Sequence, residues 1–315
     1  MRSSPWNRLQ LSSGHSAAPS TTGEVAARSE RVPVDHIARS AHVLVAGTGP
    51  PLVMINGIGV PGAMFAPLMV HLQSRHRLYV VDLPGYGLSD ADRGFPSDFR
   101  AAHIGFLRQV LEGLELARPP LLANSLGALI GFWFALDHPD RCGDITAVGC
   151  PAITMDTSAP LPMRLLGLPG LGAALARLSP PSPRQVRALA RMVHQDPLPP
   201  TIAELLEATQ RTRGSRTMFR GSLRRLLRLT GANPALALGA EELGRVRTPV
   251  RLIWGDRDPM GDLSAGRAIH AALADASLHV VPGGHAPWLN APRAVADALG
   301  LDTGPARHES TTKWL

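Results

Sequence analysis

The sequence is poor in cysteine, lysine and aromatic residues, and it lacks any long apolar run. Cys142 and Cys150 are the only cysteines among 315 residues, and they flank a predicted strand at residues 145–149. Because a strand rises about 3.3 Å per residue, its two ends lie too far apart for a disulfide bond. We therefore expect two reduced, buried thiols and a cytoplasmic protein.

No stretch reaches the roughly 20 uninterrupted apolar residues that a bilayer-spanning helix needs. The nearest approach, residues 161–178, is interrupted by Arg164, Pro169 and Arg177. The apolar fraction of 44% is nevertheless typical of a globular protein. The first thirty residues also lack the apolar centre of a signal peptide, so we expect a flexible N-terminal tail over residues 1–30 and no transmembrane segment.

Positive charge is abundant, and almost all of it is arginine, since Lys313 is the only lysine among 32 basic residues. Residues 153–245 contain 13 arginines against six acidic residues, an excess equal to the net charge of +7. Such a region can attract anionic substrates, nucleic acid or anionic lipid. A general compositional bias also explains it, and we favour that interpretation. Since no nucleic-acid-binding motif is present, we expect no nucleic-acid partner.

Short apolar runs alternate with helical patterns from about residue 31, which is typical of βα units. Residues 160–233 interrupt this alternation with many Pro, Gly and Arg residues and no strand-like run. We therefore predict an α/β fold, a mainly parallel central sheet flanked by helices with an inserted helical cap. The predicted division is a core of residues 31–152 and 246–301, a cap of residues 153–245, and a C-terminal tail of residues 302–315. The predicted strands are residues 31–37, 42–46, 51–55, 77–82, 120–123, 145–149, 250–254 and 278–281.

The strongest local signal is Ala-Asn-Ser-Leu-Gly at residues 123–127, between a predicted strand and a predicted apolar helix. A sharp strand-to-helix turn holds a serine hydroxyl clear of the backbone, and small neighbours let strand and helix approach closely. The helix N-terminus offers free N–H groups where negative charge develops. Ser125 is therefore a candidate nucleophile, with Asn124 as a supporting residue. The alternative is that Ser125 only caps the helix, a common role of serine.

Two further strand ends carry a candidate base and a candidate acid. His285 follows two glycines after the last predicted strand, and imidazole is the natural general base for a serine hydroxyl. Trp-Gly-Asp-Arg-Asp-Pro at residues 254–259 follows the preceding predicted strand. It offers Asp256 and Asp258 as the carboxylate that orients the imidazole.

These motifs, in the order Ser, Asp, His, resemble the serine hydrolases of the α/β-hydrolase fold over roughly residues 31–300, outside the cap. The first motif is similar to the nucleophile elbow Gly-x-Ser-x-Gly, with alanine in the first position. The family pattern Gly-x-x-Asp at the acid strand implies Asp258, and leaves Asp256 as a turn acid. The resemblance therefore implies catalytic roles for Ser125, His285 and Asp258. Asp-x-x-Gly-x-Gly-x-Ser at residues 82–89 is similar to another family landmark, for which we predict a structural role.

The resemblance also implies an oxyanion hole made of two backbone N–H groups. One belongs to Leu126, directly after the nucleophile, and the other belongs by position to Ile58. The family usually has His-Gly in this loop, whereas here Asn56 takes the place of the histidine, followed by Gly57 and, after Ile58, by Gly59. A backbone N–H group is present whatever the side chain is. Asparagine in place of the histidine therefore does not alter the expected activity.

A serine triad with an oxyanion hole implies acyl transfer to water through an acyl-enzyme. We therefore predict hydrolysis of a small-molecule carboxylic ester with an apolar acyl group, the cap lining the acyl pocket. Neither a metal-ligand cluster nor a dinucleotide fingerprint occurs, so we expect catalysis without metal or cofactor. The oligomeric state stays open.

Three alternatives remain. The loop Ile-Asn-Gly-Ile-Gly at residues 55–59 looks like that of intracellular polyhydroxyalkanoate depolymerases. Asn-Ser in the elbow and Pro-Gly-Ala at residues 61–63 look like the carbon–carbon hydrolases of aromatic ring-cleavage pathways. The alternative of a different class is a small-molecule receptor without catalysis, since one fold can serve both.

Overall fold

Eight strands form one sheet in the computed structural model, which describes residues 25–35, 37–90, 95–178 and 181–300. The strands are β1 (Ala27–Pro33), β2 (Ser40–Ala46), β3 (Pro51–Ile55), β4 (Arg77–Val81), β5 (Leu121–Ala123), β6 (Ile145–Val148), β7 (Leu227–Arg228), β8 (Gly231–Ala232), β9 (Val250–Gly255) and β10 (Ala276–Val281). Their order across the sheet is β1-β2-β4-β3-β5-β6-β9-β10, while β7 and β8 pair separately. Within the large sheet, β2 pairs antiparallel with β1 and with β4, and the other pairs are parallel. The predicted mainly parallel α/β sheet is confirmed.

Helices cover both faces of this sheet. They are α1 (Ala66–Leu72), α2 (Phe99–Gly113), α3 (Leu126–Asp137), α4 (Leu161–Gly167), α5 (Leu171–Leu178), α6 (Pro183–Met192), α7 (Pro200–Arg211), α8 (Arg213–Leu226), α9 (Ala240–Gly244), α10 (Leu263–Ala272) and α11 (Pro292–Ala298). The buried residues of α2, α3 and α10 belong to one core cluster, and those of α1 and α11 belong to another. The sheet therefore separates two apolar layers.

The strand β3 shows how its residues divide between these layers. Val53 and Ile55 join the core beneath α2 and α3, whereas Leu52 and Met54 join the core beneath α1 and α11. Successive side chains of a strand point to opposite faces, so a strand covered on both sides needs a continuous apolar run. Each such side chain stabilises the fold by roughly 1.5–3 kcal/mol on burial.

The helix α3 is apolar on all sides, and its first ten residues, from Leu126 to Ala135, are buried. A helix of this composition belongs in the interior of a large protein. It packs between the sheet and α2, and it begins directly after Ser125. The buried helix therefore fixes the position of the serine at its N-terminus.

Two secondary-structure predictions were wrong. The first strand covers Ala27–Pro33 instead of residues 31–37, because its pairing with β2 runs from Ala27 opposite Ala46 to Pro33 opposite Ser40. It therefore begins inside the predicted N-terminal tail, and its few buried residues give it a weak apolar pattern. The second error concerns the hairpin of β7 and β8, which was not predicted because two-residue strands carry no periodicity. Residues 1–24 of the predicted N-terminal tail and the whole predicted C-terminal tail lie outside the described residues.

The helices α4 to α8 form the predicted inserted helical region between β6 and β9. Two contacts place this region over the loops that follow the strands. Phe219 of α8 packs against Gly59 after β3, and the Val193 carbonyl accepts the N–H of His285 after β10 at 3.0 Å. Within the described ranges, no helix is long and apolar enough to cross a bilayer.

Candidate active site

Ser125 lies at the junction of β5 and α3, in a backbone conformation that is rare for a residue with a side chain. Its φ is 53° and its ψ is −113°. Such a conformation costs on the order of 1–3 kcal/mol, and the surrounding structure must hold it in place. The Ser125 side chain makes no capping hydrogen bond to α3. The alternative of a simple helix cap therefore finds no contact to support it.

Small residues beside Ser125 allow the strand and the helix to meet. A Cβ atom on Gly127 would lie 2.4 Å from the main-chain oxygen of Ile55 and 2.8 Å from that of Asn56. Only a glycine permits this approach, because real Cβ atoms do not come so close to backbone oxygens. The approach brings the N-terminus of α3 against the loop that follows β3.

His285 and Asp258, which follow β10 and β9, are hydrogen-bonded to each other. The Nδ1 atom of His285 is 3.0 Å from both carboxylate oxygens of Asp258. The carboxylate also accepts the main-chain N–H groups of Cys150 at 2.7 Å and Met260 at 2.9 Å. With Nδ1 donating to Asp258, Nε2 of the imidazole is left as a proton acceptor.

Asp256 occupies a different place from Asp258. Its Oδ1 accepts the main-chain N–H of Gly283 at 2.8 Å and lies 3.5 Å from the Nε of Arg257. The side chain is about half exposed, at 48%, while that of Asp258 is fully buried. Asp256 thus joins the two loops at their base, and Asp258 is the aspartate that reaches His285.

Asn124 ties three loops of the site together. Its Nδ2 donates to the main-chain oxygen of Val148 at 2.7 Å and to that of His285 at 3.0 Å. Its own main-chain N–H donates to Ile55 at 3.0 Å. The residue before Ser125 therefore fixes the backbone of the histidine loop.

The predicted oxyanion loop is shaped by the side chain of Asn56. Its Nδ2 donates to the oxygen of Pro61 at 2.9 Å, and its Oδ1 accepts the N–H of Gly57 at 2.8 Å. Asn56, at the position of the family's usual histidine, thus closes the turn of this loop with its side chain. Throughout the described residues, neither the Ile58 N–H nor the Leu126 N–H donates to a protein acceptor. Both groups remain available to a bound oxygen atom.

Gly59 has a φ of +76°, and a Cβ at this position would lie 2.6 Å from the Cδ2 atom of Phe219. The inserted region therefore presses an aromatic ring directly onto the predicted oxyanion loop. A side chain at residue 59 would push the ring of Phe219 away, so this glycine serves both the turn and the packing.

No motif in the sequence pointed to Gln195, which is buried in the segment after α6. With its amide oriented so that both atoms are paired, its oxygen accepts the main-chain N–H groups of Gly284 at 2.8 Å, His285 at 3.2 Å and Ala286 at 3.1 Å. Its nitrogen donates to the Ala286 oxygen at 2.9 Å. A side chain of the inserted region therefore holds the histidine loop by its backbone.

The neighbouring His194 makes a similar contact with the acid loop, since its Nδ1 lies 2.7 Å from the main-chain oxygen of Arg257. The segment from Val193 to Gln195 thus contacts the loops of both Asp258 and His285. A lone glutamine and a lone histidine in an irregular segment carry no sequence signal of such a role.

A Ser–His–Asp chain of hydrogen bonds lies elsewhere in the sheet, at Ser29, His42 and Asp82. Ser29 Oγ is 2.5 Å from His42 Nε2, and His42 Nδ1 is 2.7 Å from Asp82 Oδ2. However, Ser29 lies within the paired strand β1 and lines neither of the two cavities described below. Asp82 also accepts the N–H groups of Gly62 at 2.6 Å and Leu88 at 2.9 Å, as a structural carboxylate does.

Ser125 and His285 both line a cavity of about 1020 Å³ beneath the inserted helices. Its wall is mostly apolar and includes Leu165, Leu206 and Trp288. Among the residues that the structure describes, three arginines but no aspartate or glutamate belong to the lining. Within the described ranges, no cluster of three or more His, Cys, Asp or Glu residues is placed to hold a metal ion.

The two cysteines are free and buried, so the expected reduced thiols are confirmed. Burial raises the pKa of the Cys142 thiol to about 12. Burial, reinforced by the Asp258 carboxylate, also raises the pKa of Cys150. Both thiols therefore stay protonated near neutral pH, which leaves them poorly nucleophilic although Cys150 lies beside the site.

A family model described as alpha/beta hydrolase fold matches residues 50–292 of this chain. A pimeloyl-[acyl-carrier protein] methyl ester esterase of Chromobacterium violaceum is 30% identical over an alignment of 255 positions, which covers 78% of this chain and 90% of that protein. The chain therefore belongs to the alpha/beta hydrolase fold family, as the sequence motifs predicted.

Two other proteins extend the comparison. A 2-hydroxy-6-oxononadienedioate/2-hydroxy-6-oxononatrienedioate hydrolase of Cupriavidus pinatubonensis is 27% identical over 79% of this chain and 86% of that protein. The crystal structure of naproxen esterase (carboxylesterase NP) from Bacillus subtilis has a TM-score of 0.70 at 20% identity, covering 88% of this chain and 91% of that one. The structural likeness confirms the fold, and the relatives include both an ester hydrolase and a hydrolase of a dienedioate.

Proposed function

We propose that this protein is a serine hydrolase that cleaves a carboxylic ester of an apolar acyl group through an acyl-enzyme. In this proposal Ser125 is the nucleophile, His285 is the general base and Asp258 orients and stabilises the imidazole. The main-chain N–H groups of Ile58 and Leu126 form the oxyanion hole. Residues 153–245 act as a cap that encloses the acyl group, and the two reduced thiols fit a cytoplasmic location.

The observation that carries the proposal is the arrangement around one cavity. Ser125, on its strained turn, and His285, paired with Asp258 at 3.0 Å, both face the same mostly apolar space. A nucleophile and a base that line one concave pocket, with a buried acid orienting the base, make a candidate site for acyl transfer.

The steps follow from these positions. The Ser125 hydroxyl attacks the ester carbonyl and its proton passes to Nε2 of His285, while the carbonyl oxygen takes up negative charge against the free N–H groups. The alcohol leaves with the proton from His285. Water, deprotonated by the same imidazole, then hydrolyses the acyl-serine, which releases the acid and restores the hydroxyl.

The apolar wall supports an apolar acyl group, and the esterase of Chromobacterium violaceum supports an ester bond. Because the chain is also similar to the hydrolase of Cupriavidus pinatubonensis, cleavage of a carbon–carbon bond is the second candidate function. A polyhydroxyalkanoate substrate would use the same groups and the same cavity. These activities differ in the substrate and, for the second candidate, in the bond that is cleaved, so turnover of matched compounds separates them.

Labelling with a fluorophosphonate probe, read by intact mass, tests the proposed nucleophile. We expect one adduct on the wild-type protein, none on Ser125→Ala, and an unchanged adduct on the control Ser29→Ala. The same pattern should hold for hydrolysis of p-nitrophenyl esters of increasing chain length, which also measures the length of the acyl pocket. An unlabelled, folded wild-type protein would instead favour a receptor without catalysis.

A further inference from the structure

A stripe of arginines runs along α8. Arg213, Arg216, Arg220 and Arg224 are spaced by three or four residues, which places them along one side of the helix, and Arg228 continues the series in β7. Among the described residues, none of these five guanidinium groups has a carboxylate within ion-pair distance. Like charges at such spacings repel each other, so the helix as it stands would be stabilised by a bound anion.

Part of this stripe borders a second cavity, of about 480 Å³, which we call the arginine cleft. Arg220, Arg224, Arg225 and Arg228 line it, and none of the acidic residues that the structure describes does. Phe95 is also in the lining, with the Arg225 guanidinium 5.9 Å from its ring centroid. The cleft therefore combines an aromatic surface with a strongly positive rim.

The arginine cleft borders the cavity of the candidate active site. Leu166, Ala173 and Arg220 line both spaces. Compositional bias alone would not explain this grouping. Arg184 and Arg187 of α6 belong to the same basic region, yet they line neither cavity. A molecule that reaches from one space into the other would pass Arg220.

We propose that the arginine cleft binds phosphate on the leaving group of the substrate, while the acyl group occupies the apolar cavity. This inference rests on the proposed function. Guanidinium groups form paired hydrogen bonds with phosphate oxygens, and several of them around one cleft neutralise a multiply charged group. The reaction is hydrolysis: water and the ester or thioester give the carboxylic acid and the phosphate-bearing alcohol or thiol, and no phosphate ester bond breaks.

Two kinds of molecule carry this chemistry, a glycerol phosphate ester and a coenzyme A thioester. Matched pairs distinguish them. 1-Decanoylglycerol 3-phosphate is compared with 1-decanoylglycerol, and decanoyl-coenzyme A with S-decanoyl-N-acetylcysteamine. The members of each pair differ in the phosphate-bearing part and share the acyl group and the bond that is cleaved. For each pair, the measured quantity is the ratio of kcat/KM with phosphate to kcat/KM without it.

We expect this ratio to exceed one for at least one pair in the wild-type protein and to fall as ionic strength rises. In R224Q/R228Q it should fall about tenfold or more, since hydrogen bonds to charged groups are lost. The control R184Q/R187Q removes the same charge from α6 and should keep the wild-type ratio. Circular dichroism and the Tm establish that both variants are folded.

A ratio near one for both pairs, or an equal fall in both variants, would overturn the phosphate site while leaving ester hydrolysis in place. A wild-type preference that R224Q/R228Q retains would overturn the assignment to this cleft. Absence of turnover on all four compounds and on p-nitrophenyl esters would overturn the proposed function together with this inference.

Discussion

The Nδ2 atom of Asn124 lies 3.0 Å from the main-chain oxygen of His285, so the residue before the proposed nucleophile holds the loop of the proposed base. The same amide reaches Val148 at the end of β6. Asn124 is only 4% exposed, so water cannot readily replace its amide as a donor. The relative placement of Ser125 and His285 thus depends on a residue with no direct part in acyl transfer.

Replacing this amide should impair turnover more than binding. In Asn124→Ala, two buried carbonyl groups lose their donor, which costs roughly 1–3 kcal/mol each when unsatisfied. We expect kcat for a p-nitrophenyl ester to fall by about tenfold or more, with a small change in KM, together with a lower Tm. A variant that is folded at the assay temperature and keeps wild-type kcat would contradict this role.

The two aspartates after β9 should differ sharply. Asp258→Asn removes the carboxylate that faces His285 Nδ1, and we expect a loss in kcat approaching roughly 10⁴, the size known for the corresponding change in the Ser-His-Asp triad of a serine protease. Asp256→Asn retains an oxygen that can accept from Gly283, so it should lose far less. Steady-state kinetics of both variants decides between them, and the opposite ranking would make Asp256 the acid.

Gln195 should position the histidine loop from within the inserted region. Gln195→Ala leaves three successive N–H groups without their side-chain acceptor, so kcat should fall while the surface control Gln109→Ala stays at the wild-type level. Gln195→Glu keeps acceptor oxygens but adds negative charge beside His285, which favours the imidazolium. We therefore expect the acid limb of its pH–rate profile to move to higher pH.

That shift is the diagnostic part of the Gln195 experiment. A residue that only stabilised the fold would lower the Tm in both variants and leave the acid limb where the wild type has it. Profiles measured at the same temperature and ionic strength for wild type, Gln195→Ala and Gln195→Glu therefore distinguish positioning from general stability.

His103 should make the fold sensitive to acid. Burial lowers its pKa from the ordinary 6.5 to about 4, and its Nδ1 is 2.8 Å from the Phe99 carbonyl. The folded pKa is the lower one, so as pH falls through about 6.5 the unfolded chain takes up a proton that the folded chain refuses. The free energy of unfolding therefore falls by up to about 3 kcal/mol between pH 6.5 and pH 4.

The variant His103→Asn isolates this contribution, because it keeps a donor for Phe99 and has no titrating group. Urea unfolding at pH 7 and at pH 4.5 gives the free energy of unfolding of both proteins. We expect wild type to lose more stability than the variant over this interval. Parallel losses would mean that other groups account for the acid sensitivity.

The sequence by itself predicted the features that are set by local backbone requirements. Apolar runs long enough for two-sided burial marked the central strands, and the elbow around Ser125 needed small neighbours and a helix start. The resemblance of three motifs in a fixed order then pointed to His285 and Asp258. Elements with a weak apolar pattern were not predicted, namely β1 at its observed position and the hairpin of β7 and β8.

The tertiary structure decided which of these side chains meet. Both Asp256 and Asp258 follow one strand, and only packing sets Asp258 against His285. Likewise, of Ser29 and Ser125, only Ser125 lines one of the described cavities, on a strained turn at a helix N-terminus. A local motif reflects the backbone conformation that one segment must adopt. Contacts such as that between Gln195 and the loop of His285 join segments ninety residues apart, and the packing of the whole chain fixes them.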